Sequence, residues 1–276
     1  MKVLVCSKKS LYEVYKNNIK SKRYLKKIIE SNNEHIKTQE YIFATLKKLH
    51  IPYTSIYRDD LTSLKNPNNY DLTISCGGDG TLLHVQKFMT KGKIFSVNSD
   101  RKNSVGYFAI ANRFNFERQF QKYLDNKLQE VTLTRLMLKI NNTYYTKHIF
   151  NDVLFSNETV SLSSRYEIHV RGKNEMQKSS GIWISTAAGS SGALRSAGGK
   201  SLALASPNFQ FLVREPDYVF HYTLLNKILK PNESLVLYSR MTSGICYIDG
   251  TADSVRFDLG DRLTFSTSHE PITLIR

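Results

Sequence analysis

The chain of 276 residues contains three cysteines, six prolines and one tryptophan. Cys6, Cys76 and Cys246 are odd in number and far apart, which excludes a disulfide framework and a paired-thiol zinc site and fits a reducing compartment. No stretch reaches the roughly 20 apolar residues of a membrane span. The opening run Val3 to Cys6 is also too short for the apolar core of a signal peptide, so a cytoplasmic protein with no membrane partner is expected. The seven histidines form no H-x-x-H or H-E-x-x-H pair, and no dedicated metal ligands are assigned. Fourteen glycines without a G-X-Y period, and no internal repeat, rule out collagen and solenoid architectures. Neither a G-x-x-x-x-G-K-[ST] nor a G-x-G-x-x-G element occurs.

Acidic residues are also scarce. Against 24 Asp and Glu stand 39 Lys and Arg, a formal charge of +15. Residues 1–50 hold 12 of these bases and 4 Glu, hence +8 of the total. The lysines of this stretch lie among Asn, Ile and Tyr and read as a solvated helix face rather than a nucleic-acid stripe. Nucleic acid is therefore not expected as a partner, while a positive surface would still draw in polyphosphorylated ligands.

What is present is a hydrophobic content of 41%, enough for a folded core. Up to residue 130, strand-like and helix-like segments alternate. Val3 to Cys6, Tyr53 to Tyr57, Leu72 to Cys76 and Ile94 to Val97 read as strands. Ile42, Leu46 and Leu49, Thr81 to Met89, and Phe116, Phe120 and Leu124 mark helices. This predicts an α/β domain with a mainly parallel, Rossmann-like sheet over residues 1–130. Beyond it the period becomes two, with apolar pairs at Leu136 and Leu138, Ile168 and Val170, Ile182 and Ile184, Leu235 and Leu237, Val255 and Phe257, and Leu263 and Phe265. Residues 131–276 are accordingly expected to form a β-rich domain, a β-sandwich. Small residues from Gly189 to Gly199 suit a loop feeding a helix, and Trp183 in its alternating strand reads as core, as do Tyr144 and Tyr145.

Chemistry concentrates at Gly77-Gly78-Asp79-Gly80-Thr81, between a predicted strand and a predicted helix. Bare backbone amides and a helix N-terminus there suit phosphate. A carboxylate repels phosphate, so Asp79 is suited to hold Mg²⁺ or to accept a proton from an attacking hydroxyl. A structural role as helix cap at this turn would explain a cap and two glycines but not three glycines flanking an acid.

This turn resembles the phosphate-binding motif of NAD kinases, of diacylglycerol and sphingosine lipid kinases and, more distantly, of phosphofructokinases. Ser185-Thr-Ala-Ala-Gly-Ser-Ser-Gly-Ala-Leu-Arg-Ser-Ala-Gly-Gly199 is similar to the second conserved stretch of NAD kinases, S-T-P-T-G-S-T-A-Y-N-L-S-A-G-G, and Asn151-Asp152 to their Asn-Glu pair. Ser161 to Arg165, Gln177 to Gly181, Val213 to Pro216, Ile248 to Gly250 and the loop from Val97 to Phe108 resemble the mitochondrial-type branch and its bacterial relatives.

The resemblance implies an NAD kinase-like fold, ATP and NAD as substrates, Mg²⁺ with the ATP, and a homodimer or higher oligomer. It gives Asp79 the catalytic role toward the 2′-hydroxyl of the adenosine ribose, and Gly78, Gly80 and Thr81 the diphosphate cradle. Asn98 matches the Asn of the next strand-end loop, and Asn151 and Asp152 match the adenosine-binding pair, with Asp one methylene shorter than Glu. Ser191 and Ser196 match hydroxyls lining the dinucleotide site, and Asp249 matches a late Asp-Gly turn near it. The acceptor would lie between the two domains.

Two positions depart from the family pattern, Ser180 where an acid is usual and Ala193 where Tyr is usual. They remove a charge and a stacking surface near the nicotinamide, so strong discrimination between NAD and NADH is not expected. The rival readings are a lipid kinase carrying the same glycine turn, for which Asn151-Asp152 has no purpose, and a non-catalytic nucleotide- or nucleic-acid-binding protein, suggested by the positive charge.

Overall fold

The computed structural model describes residues 1–64, 66–250 and 253–276. The chain divides into two compact units, residues 1–132 with 272–276, and residues 133–271.

Strands of the first unit are β1 (Val3–Ser7), β2 (Tyr53–Tyr57), β3 (Leu72–Gly77), β4 (Lys93–Asn98), β5 (Ala111–Asn112) and β6 (Glu130–Leu133). Its helices are α1 (Leu11–Tyr15), α2 (Lys22–Lys48), α3 (Asp79–Gln86) and α4 (Phe116–Leu124). The second unit holds β7 (Leu136–Ile140), β8 (Thr143–Ile149), β9 (Asp152–Asn157), β10 (Ser164–Val170), β11 (Lys173–Ser179), β12 (Ile182–Thr186), a short α5 (Ala193–Ser196), β13 (Phe209–Val213), β14 (Asn226–Leu229), β15 (Leu235–Ser239), β16 (Gly244–Ile248), β17 (Ser254–Phe257) and β18 (Arg262–Thr267). A last strand, β19 (Ile272–Ile275), returns to the first unit.

The first sheet has the order β2-β1-β3-β4-β19-β6, with β5 beside β4. Pairs from β2 through β4 to β19 are parallel. Short runs of apolar and small residues suit this arrangement, because a parallel sheet is covered on both faces and every residue of β1 and β3 is buried. Val3, Val5, Ile74, Phe95 and Val97 pack with Ile42 and Leu46 of α2 and with Phe116 and Phe120 of α4 in one core. Phe95 meets Phe116 and Phe120 edge-on at 5.9 and 5.8 Å, a geometry that aromatic quadrupoles favour.

The second unit stacks two antiparallel sheets, β11-β10-β15-β18-β7-β8 and β14-β13-β12-β9-β16-β17. Their alternating apolar residues, among them Leu138, Tyr166, Leu237 and Phe265 from one sheet and Phe155, Ile184, Phe211 and Cys246 from the other, share a single core. This is the sandwich that the period of two predicts.

Several details differ from the sequence reading. The division falls after Thr132 rather than at 130, and Ile272–Ile275 leave the sandwich because Thr273 and Leu274 pair with Lys93 and Ile94. A four-residue strand is too short for its own alternation to reveal which sheet it joins. Helix α3 begins at Asp79, with Gly78 as its N-cap, because the Asp79 carboxylate is used elsewhere. Trp183 lies outside the core. It is half-buried on the outer face of its sheet, opposite Leu154 and Leu212, with the Arg214 guanidinium 5.8 Å from its ring. Tyr144 and Tyr145 are 48% and 41% exposed, and the Lys139 and Lys147 ammonium groups cover the Tyr144 ring.

Candidate functional site

The parallel sheet reverses its winding at one place. From β1 the chain runs out to β2 on one side and comes back to β3 on the other, which makes the carboxyl ends of β1 and β3 a topological switch point, where ligands of open α/β sheets bind. The glycine turn stands there. An added Cβ on Gly77 would lie 2.0 Å from the Thr81 hydroxyl, and one on Gly78 would lie 2.6 Å from the Ser104 hydroxyl. Gly77 must be glycine for the protein to pack, whereas a side chain at Gly78 would require the Ser104 hydroxyl to turn away. Gly80 is exposed and its missing side chain faces open space, so the fold itself does not require glycine there.

Asp79 is half-buried at the first position of α3, where the positive end of the helix favours a carboxylate. Its two oxygens accept the backbone N–H groups of Tyr107 at 2.9 Å and Phe108 at 3.0 Å. The acid thus holds down the end of the loop between β4 and β5, a partnership that no spacing in the sequence announces. Each oxygen keeps a second lone pair, so the carboxylate can still accept a proton or a hydroxyl hydrogen bond.

Thr81 is turned inward, 1% exposed, and its hydroxyl has no hydrogen-bond partner among the described residues. Asn98 is 6% exposed. It donates to the Ser104 carbonyl at 2.9 Å and accepts from the Asp100 amide at 3.0 Å, shaping the same loop. His84 lies beside Phe88, their ring centroids 5.5 Å apart. Burial and then the charge of Arg58 hold its imidazole below the usual histidine range.

In the second unit, the residues matched to the adenosine-binding pair are gathered at the ends of β9, β12 and β16. The buried Asp249 carboxylate accepts the Asn151 amide at 2.6 Å and the Phe150 amide at 3.0 Å, while its own amide donates to the Asp152 carbonyl at 2.8 Å. Asp249 adopts a φ of 54°, a left-handed conformation that short polar side chains tolerate. Its side chain therefore fixes the protein's own backbone. Thr186 adds two contacts, donating its hydroxyl to the Phe150 carbonyl and its amide to the Asn151 carbonyl at 2.9 Å. A Cβ on Gly189 would meet that Asn151 carbonyl at 2.3 Å, which is the packing reason for glycine in the small-residue segment.

Two polar atoms are left over from this scaffold. Asn151 Oδ1 is buried without a partner among the described residues, and an orphaned acceptor of this kind is a place for a ligand donor. Asp152 is 7% exposed. Burial, and then the neighbouring Asp249 charge, push its carboxyl up to about 7. Ser191 and Ser196 are exposed, Ser196 donating to the Gly192 carbonyl at 3.3 Å. The structure thus brings Asn151, Asp152 and Asp249 together in one unit, and Gly78, Asp79, Gly80, Thr81 and Asn98 in the other. Sequence reasoning missed Thr186, Tyr107 and Phe108. The last two act through backbone N–H groups, which every residue but proline has, so no residue type could signal them.

No protein-family model matches the chain. It is 28% identical over 258 residues to a probable NADH kinase of Oryza sativa subsp. japonica, covering 84% of this chain and 78% of that protein. A match to the NAD kinase of Clostridium tetani is 24% identical and covers 78% and 77% of the two chains. Among solved structures, the yeast NADH kinase complexed with NADH superposes with a TM-score of 0.74 at 15% identity, over 100% of this chain and 83% of the other. The NAD kinase of Archaeoglobus fulgidus in complex with ATP gives 0.69 at 19% identity, over 100% and 94%. At these identities the superpositions establish a shared fold. Curated relatives named NAD kinase or NADH kinase align along most of the sequence.

Proposed function

We propose that the protein transfers the γ-phosphoryl group of ATP to the 2′-hydroxyl of the adenosine ribose of NAD or NADH, giving the phosphorylated dinucleotide and ADP. The observation that carries this reading is Asp79, a carboxylate presented at the start of α3 with a free lone pair on each oxygen, beside backbone amides at the sheet's switch point. In the reaction the bond from the γ-phosphorus to its bridging oxygen breaks, the ribose oxygen bonds to phosphorus, and the hydroxyl proton passes to Asp79. Such transfers proceed through a loose transition state, so alignment and charge stabilisation do most of the work.

Gly78 and Gly80 leave backbone N–H groups open to the donor phosphates, and Asn151 and Asp152 hold the adenosine of the acceptor. Among the described residues, no three His, Cys, Asp or Glu converge to hold a metal. A single carboxylate at the turn suits a Mg²⁺ that arrives on the ATP phosphates, the usual way this ion is bound by phosphoryl-transfer enzymes. There it would neutralise phosphate charge. NADH stands beside NAD as acceptor because Ser180 and Ala193 lack the usual acid and aromatic ring, and because relatives named NADH kinase align over most of the chain.

The test is a matrix assay with NAD, NADH or diacylglycerol as acceptor and ATP or inorganic polyphosphate as donor. Formation of NADP or NADPH is the expected result. Phosphorylation of diacylglycerol alone would replace this reading with a lipid kinase.

A further inference from the structure

One lysine at the switch point has no carboxylate partner among the described residues. The β1–β3 ladder sets Ser7 opposite Cys76, so Lys8 leaves the sheet beside Gly77 and the glycine turn. Its charge is felt at Cys76, whose thiol burial pushes up to about 12 while Lys8 pulls it the other way. Three basic side chains crowd the exits of β1 and β2. Arg58 pairs with Asp59 at 3.4 Å, and the Lys9 ammonium sits 5.5 Å from the centre of the Tyr57 ring. Lys8 is half-buried and, among the described residues, pairs with no carboxylate. A cation that is partly desolvated and unpaired is poised for an anion.

Its backbone is tied down with unusual care. The Lys8 carbonyl takes a hydrogen bond from His35 Nε2 at 2.9 Å, and His35 Nδ1 lies 2.8 Å from the Ser99 hydroxyl. His35 is 1% exposed on α2. Burial, with the Lys8 charge second, holds its imidazole down to about 4, so the ring is neutral. A carbonyl only accepts, hence Nε2 carries the proton and Nδ1 accepts from Ser99. The Ser99 amide in turn donates to the Gly77 carbonyl at 3.0 Å. One buried histidine therefore links the exits of β1 and β4 around that of β3. Its neighbours on α2 reinforce the link: Ser10 donates to Asn32 Oδ1, Ser31 to Asp100, and Thr38 to the Ser99 carbonyl.

We infer that Lys8 is the cation that receives the polyphosphate chain of the donor at the glycine turn, and that His35 is a positioning residue that fixes Lys8 for this task. The inference rests on the reading of the protein as an ATP-dependent kinase and adds to it the group that recognises the donor.

The test measures binding of MgATP without acceptor by calorimetry, binding of inorganic tripolyphosphate to separate the phosphates from the nucleoside, and steady-state kinetics. Lys8→Ala is expected to weaken binding of both ligands at least about tenfold, the loss of one charge-assisted contact, and to raise the KM for ATP by a similar factor while the KM for NAD stays within about twofold. Lys8→Arg should restore most of the affinity, and Lys16→Ala should change nothing. His35→Gln should raise the KM for ATP with little change in kcat, and add nothing when combined with Lys8→Ala, since it acts through that side chain. Unaltered MgATP affinity in Lys8→Ala, or full additivity in the double variant, would overturn the inference. Wild-type protein that binds MgATP yet phosphorylates no dinucleotide would instead refute the proposed function and leave Lys8 to be judged by the binding data.

Discussion

Asp79 answers to two demands at once. It accepts N–H groups from Tyr107 and Phe108 while it is proposed to take the hydroxyl proton. An Asn at this position sets an amide N–H against one of those backbone donors, so Asp79→Asn should lower kcat by about a hundredfold or more. It should also speed hydrogen exchange at residues 104–108. Near-normal turnover would remove Asp79 from the chemistry, and unchanged exchange would remove it from the loop. Asp152 gives a pH signature. Its carboxyl is held up to about 7 by burial and by Asp249, and in its proposed role it would accept ribose hydroxyls best when ionised. The KM for NAD should therefore fall as pH rises through about 7, and Asp152→Asn should lose that inflection. Stability has the opposite sign. A raised carboxyl contributes fully below its unfolded value, and that contribution is lost as pH climbs through about 7. Asp152→Asn should then melt higher than the parent at pH 8, and a lower Tm would contradict the burial argument.

Among the elements, the long apolar runs and the alternating pairs reveal their sheets because burial on two faces or on one writes itself into the residue order. The glycine turn was legible for the same reason that it is constrained: Gly77 has no room for a Cβ against Thr81, and Gly78 has room only if the Ser104 hydroxyl turns away. Less legible was what holds Asn151. Asp249 lies 98 residues away in the chain, and Trp183 alternates as a core residue would while facing outward beside Arg214. Long-range pairing of this kind has no local trace. The segment Ser185 to Gly199 offers a test at this scale. Gly189→Ala places a methyl carbon 2.3 Å from the Asn151 carbonyl oxygen, so the strand end must shift. The KM for NAD should rise at least about tenfold, because a displacement near 1 Å can cost about a hundredfold, while MgATP binding stays as it was. Loss of both affinities together would mean general unfolding instead.

For the molecule as a whole, the two units differ in how their chains are joined. The sandwich is one continuous stretch, residues 133–271, whereas the α/β unit is built from 1–132 and 272–276. In its sheet β19 lies between β4 and β6, and Ile272, Leu274 and Ile275 are each at most 1% exposed. Removal of residues 272–276 should therefore leave β4 and β6 unjoined and expose that core. A chain truncated in this way is expected to lose MgATP binding and the thermal transition of the α/β unit while its sandwich still melts cooperatively. Wild-type behaviour of the truncated protein would show β19 to be dispensable.

The same strand sets an order of events during synthesis. A ribosome delivers the glycine turn early and Ile272–Ile275 only after the entire sandwich, so the nascent α/β unit waits with an open seam between two strands. Domains usually fold in the order in which they emerge. Here the later one can finish first, and the sheet that carries the glycine turn is completed only after the sandwich that interrupts it.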